Sequence, residues 1–69
     1  MKILLAQRLT DLRKASGLSK LQLGKAISVS DTAIGKWENG LRQPSLACLW
    51  KLADFFDVTV DYLIGREEV

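Results

Sequence analysis

The chain has 69 residues, a formal net charge of +2 and no His. Its length admits a single domain, and a lone Cys48 excludes an internal disulfide framework and, without His, a zinc site of the usual spacing. The missing His also removes the commonest general base, no apolar run approaches the roughly 18 residues that cross a bilayer, and the N-terminal apolar stretch ends too early, at Gln7 and Arg8, for a signal peptide.

In chain order, Leu5, Leu9 and Leu12, with Ile3 before them, recur at helical spacing and predict a first helix that stops at Gly17. Ser19 followed by Gln22 is a capping box that starts a second, short helix over 20–27, with Leu23, Ala26 and Ile27 inward and Leu18 placed as a hydrophobic staple. After the break at 28–30, Ser30 caps a third helix beginning at Asp31, buried through Ala33, Ile34 and Trp37 and stopped at Asn39 and Gly40. A loop to Pro44 leads to Ser45, which caps a fourth helix whose core stripe is Leu46, Leu49, Leu52, Ala53 and Phe56. Asp57 and Val58 end it. Thr59 then caps a last helix from Val60 to Ile64, stopped by Gly65. No stretch alternates with the period of two that strands need, so the expectation is an all-α domain of five helices with short connections. With no disulfide and no metal, 48% hydrophobic residues must form an efficient small core. A soluble, reduced, intracellular (cytoplasmic) domain fits these features.

The mild net charge conceals an asymmetry. Residues 1–44 carry eight Lys or Arg against three acids, a balance of +5, while residues 45–69 carry two against five, a balance of −3. Such a molecule favours a polyanion on one side and turns the other away from it. Eight scattered bases are equally compatible with an ordinary solvated surface.

Two short helices separated by three residues, together about 20–39, form a helix-turn-helix candidate. Gly24 supplies the small residue that lets the helices cross closely, Val29 follows the turn, and Ile34 and Trp37 hold the second helix down. Held so, that helix can present its exposed face to a major groove about 12 Å wide.

The set Gly17-Leu18-Ser19, Leu23, Ile27, Val29-Ser30, Ile34, Trp37-Glu38-Asn39-Gly40 and Pro44-Ser45 resembles the Cro/repressor-type helix-turn-helix family of lambdoid phage repressors and bacterial regulators. Leu46, Leu49, Leu52-Ala53, Val58 and Val60-Asp61-Tyr62-Leu63-Ile64-Gly65 are similar to that family's last two helices, so the likeness runs from about Leu5 to Gly65. It implies a compact lambda-repressor-like DNA-binding domain, phage-encoded or bacterial, that regulates transcription. The function implied is sequence-specific binding of double-stranded DNA, as a repressor on a pseudo-palindromic operator, as a homodimer, with no catalysis, cofactor, membrane or small-molecule ligand. An antitoxin-type protein-interaction module with secondary DNA binding is the alternative.

Carried over residue by residue, the resemblance makes the third helix the recognition helix, with Asp31, Thr32, Gly35 and Lys36 facing bases. Lys36 suits guanine O6 or N7, Thr32 a base edge or a thymine methyl, and Asp31 cytosine N4, although an acid in a first turn also serves the helix dipole. Phosphate contacts are expected from Ser19 and Lys20 at the start of the second helix, where Lys20 replaces the family's usual Gln, and from Asn39, Arg42 and Gln43. Arg13 and Glu38 occupy positions that form an internal ion pair in relatives. Gly24 and Ser28 stand where the family usually has Ala and Gly, which predicts a turn of altered shape. A dimer interface is expected at Trp50, Phe55, Val60 and Tyr62; Trp50 and Phe55 could equally widen the core. Cys48 is expected as a small buried or boundary residue, and the segment after Gly65 as the start of a linker.

Overall fold

Four of the five helices begin at a hydroxyl that accepts the backbone N–H three residues on, which satisfies one of the donors a helix start leaves open. The computed structural model describes residues 3–66; the ends of the charge count (Lys2, Glu67, Glu68) and the last three positions, 67–69, of the expected linker lie outside the described residues. Within them run α1 (Leu5–Ala15), α2 (Lys20–Ile27), α3 (Asp31–Glu38), α4 (Leu46–Phe56) and α5 (Val60–Ile64), with no strand. Ser19, Ser30, Ser45 and Thr59 cap α2 to α5 at 3.0, 3.1, 3.2 and 2.9 Å. The Ser19 cap is reciprocal, because Gln22 Oε1 accepts from the Ser19 N–H at 2.8 Å. Helix α1 has no side-chain cap; the Leu4 N–H instead donates to the Ile64 carbonyl at 2.9 Å, which joins the start of α1 to the end of α5. Arg8 strengthens that junction: it donates to the Tyr62 carbonyl and its guanidinium lies 4.3 Å from the centre of the Tyr62 ring.

Each helix contributes one fully buried aliphatic side chain to a common core: Leu9, Leu23, Ile34, Leu52 and Leu63. Leu5, Ile27, Trp37 and Ala53 complete it, with Leu12, Leu18, Leu49, Phe56 and Val58 packed partly buried against it. Three sequence expectations need correction. Ala26 is exposed, because α2 turns Leu23, Gly24 and Ile27 inward and a neighbouring position stands about 100° round the helix. Leu46 is 79% exposed, since the fully buried residues of α4 are Leu52 and Ala53 in its second half and contact with the core begins only at Cys48 and Leu49. Ile3, ahead of α1, is also exposed. No helix among the described residues is long and apolar enough to cross a membrane.

The turn between α2 and α3 fixes how closely those helices meet. A Cβ built on Gly24 would stand 2.5 Å from the Val29 carbonyl oxygen, a distance no side chain tolerates. The Val29 N–H in turn donates to the Gly24 carbonyl at 2.8 Å. Ser28 ends α2 in the left-handed region at φ 63°, where an L side chain is strained. The two departures from the family pattern therefore sit in one turn: the glycine is spent on the close approach and the left-handed position is left to serine. Ser28→Gly should stabilise the domain by about 0.5–1 kcal/mol. Gly24→Ala should destabilise it by about 1–3 kcal/mol, as overpacking does. Urea unfolding of the two variants checks both signs.

Candidate nucleic-acid interface

Helix α3 is held from behind by a buried ion pair. Arg13 Nε donates to Glu38 Oε2 at 2.6 Å and Arg13 Nη2 to Glu38 Oε1 at 3.1 Å, a two-pronged contact between α1 and the last residue of α3. Arg13 Nη1 also donates to the Leu18 carbonyl at 2.8 Å, so one guanidinium ties together α1, the loop before α2, and α3. The hydrogen bonds to Glu38 raise the Arg13 pKa above its ordinary value, against the opposing cost of burial. Ile34 and Trp37 bury the remaining inner side of the helix.

The outward side of α3 carries the expected base-reading set. Asp31, Thr32 and Lys36 are exposed and Gly35 is half-buried. Asp31 Oδ1 accepts the Thr32 N–H at 3.0 Å, so part of this carboxylate serves the helix start. The loop after α3 folds back over the helix end: the Leu41 and Arg42 N–H groups both donate to the Lys36 carbonyl, at 2.9 and 3.3 Å. That wrap brings Arg42 and Gln43 beside Thr32 and Lys36 along an open cleft of ≈ 330 Å³, with Trp37 also in its lining. Asn39 is exposed at the end of α3, its N–H bonded to the Gly35 carbonyl at 3.0 Å. Ser19 and Lys20 are exposed at the start of α2. The Ser19 oxygen already accepts from Gln22, but its hydroxyl proton and the first N–H groups of α2 remain to meet an anion. Sequence spacing gives no sign of one proximity: apart from its chain neighbours and its own helix's backbone, the atom nearest to the place a Cβ on Gly35 would occupy is Lys20 Cδ, at 4.0 Å. Spacing along one helix cannot reveal a contact between two.

The four residues expected at a dimer contact do not form one patch. Trp50, 71% exposed, shares a groove of ≈ 260 Å³ with Ala53, Asp54, Val58 and Val60. Phe55, five positions along α4 and so about 140° round it, packs edge-on against Phe56 and lines a separate groove with Ile27, Ser28 and Lys51. Tyr62 lies under Arg8 on the α1 side. Cys48 is half-buried.

With this geometry in place, likeness to known proteins can be set against it. The helix-turn-helix family pattern matches residues 9–63. The chain belongs to that family. It is 41% identical over 61 residues to the HTH-type transcriptional regulator AnsR of Bacillus subtilis, covering 88% of this chain and 53% of AnsR. It is 40% identical over 63 residues to the HTH-type transcriptional activator BcrR of Enterococcus faecalis, covering 91% of this chain and 31% of BcrR. The chain thus spans between about a third and about a half of these curated relatives. Among solved structures, the P22 c2 repressor in complex with a synthetic operator superposes with a TM-score of 0.86 at 28% identity, covering 91% of this chain and 96% of the repressor chain. The fold is that of the phage-repressor domains the sequence resembles.

Removing Glu38 leaves the Arg13 charge buried and unpaired. Glu38→Ala should cost about 3–5 kcal/mol, a large part of what a small domain has. The double variant Arg13→Ala/Glu38→Ala should lose clearly less than the two single losses added together. A urea-melt double-mutant cycle measures this, and strict additivity would show that the pair does not couple α1 to α3.

Proposed function

We propose that this domain binds double-stranded DNA sequence-specifically and regulates transcription, as a repressor acting on a pseudo-palindromic operator as a homodimer. The observation that carries the reading is the cleft where Thr32 and Lys36 of an exposed helix meet Arg42 and Gln43 of the following loop. A base-reading helix and backbone-gripping side chains must stand side by side to engage a groove and its flanking phosphates together. The P22 c2 repressor, of similar fold, is described in complex with operator DNA, and a curated relative, RstR of Vibrio cholerae, is a phage transcriptional repressor.

Within this reading, Lys36 donates to guanine, Thr32 contacts a base edge or thymine methyl, and the free oxygen of Asp31 accepts from cytosine N4. Gly35 puts no side chain of its own at the middle of this face. Ser19, Asn39, Arg42 and Gln43 hold phosphates and fix the register. Each copy presents one reading helix, so an operator of two half-sites roughly 34–36 Å apart is read by two. Two copies are needed, and the groove between Trp50 and Val60 is the face we assign to the second copy. Phe55 and Tyr62, on other sides, take no part at its centre.

Gel shifts against the DNA upstream of the chain's own gene and against random duplex, at two salt concentrations, test the reading; binding that ignores both sequence and salt would end it. Lys36→Ala should relax preference at one base pair by about 1–3 kcal/mol, while Arg42→Ala should weaken all sequences alike and lower the salt slope by about one. Trp50→Lys should abolish pairing in sedimentation and weaken binding to a full operator, while binding to a single half-site stays unchanged.

A further inference from the structure

The first residue of α2 and the one bare position on the outward side of α3 come together. Gly35 has Thr32 three positions before it, Lys36 next to it and Asn39 four positions after it, so it lies at the middle of the reading face. It is half-buried, and apart from its chain neighbours and the backbone of its own helix the atom nearest to the place of its missing Cβ is Lys20 Cδ, at 4.0 Å. The Lys20 stem therefore passes beside the space that a side chain at 35 would take, as long aliphatic stems cover bare surface. The ammonium follows two bonds beyond an atom that rests on α3, and it engages no acidic side chain among the described residues.

We propose that Lys20 is a base-reading residue of this domain: its stem uses the notch left by Gly35 to carry the ammonium onto the reading face, next to Lys36. This rests on the DNA-binding reading above. The chemistry it takes is the acceptor edge of a purine, with guanine O6 and N7 favoured by a cation. Gly35 is then a positioning residue. Any longer side chain there would occupy the notch and turn Lys20 away.

The test is selection of bound sites from random duplex DNA with the wild-type chain, Lys20→Ala, Gly35→Leu and the double variant, with folding followed by helical signal and thermal melting. Leucine is a good helix former on an outward position and brings no hydrogen-bonding group of its own. The wild-type half-site should contain one base pair, beside the position that Lys36→Ala relaxes, where a preference of about tenfold or more vanishes in both single variants. The double variant should lose no further preference. Even weakening of all sequences by Lys20→Ala, with the selected site unchanged and the salt slope lowered by about one, would make Lys20 a phosphate contact and overturn the proposal. So would a preference that survives Gly35→Leu. If the wild-type chain selects no site at all, it is the DNA-binding reading that fails, and this one falls with it.

Discussion

The buried pairing of Arg13 with Glu38 sets where the outward helix points. A helix of eight residues is too short to hold itself in water, so α3 owes its place to what grips it. Ile34 and Trp37 grip it by burial, which is strong but non-directional. The two hydrogen bonds at its last residue grip it by geometry, and because the same guanidinium reaches the Leu18 carbonyl, the start of α2 is referred to the same point. The reading helix and its partner in the motif are thus both measured from one side chain of α1.

The rest of the molecule serves that arrangement with modest means. Five aliphatic side chains, one per helix, belong to one buried core, so the pairwise contacts between helices share a common centre. Hydroxyl caps define where α2 to α5 begin, which limits the register of the apolar stripes behind them. The first and last helices close on each other through Leu4, Arg8, Tyr62 and Ile64, which gives α1 a second support opposite the one it lends to α3.

Much of this was legible in the amino-acid sequence because it is written locally. Ser19 with Gln22, Ser30, Ser45, Thr59 and the stops at Gly17 and Gly65 obey short-range rules, and the five helices follow them. Local spacing fails where a side chain's surroundings come from another element. Leu46 satisfies the stripe of α4 and yet stays exposed, while Leu49, one turn on, packs against the core. Ala26 sits beside inward residues and faces out. Trp50 and Phe55 both look surplus to the stripe, and only the fold shows that they lie in different grooves. Lys20 against Gly35 is of the same kind: two helices had to be placed before the contact existed.

The turn that joins the two central helices also constrains how such a sequence can change over time. With Gly24 pressed on the Val29 carbonyl and Ser28 left-handed, Ala at 24 and Gly at 28 are two substitutions whose order matters. Taking Ala at 24 first meets an oxygen at 2.5 Å in a turn that serine cannot easily reshape. Taking Gly at 28 first relieves the backbone and gives the turn freedom to move back before the methyl arrives. The two positions are coupled through one turn, and an alanine at 24 is easier to accept once glycine stands at 28.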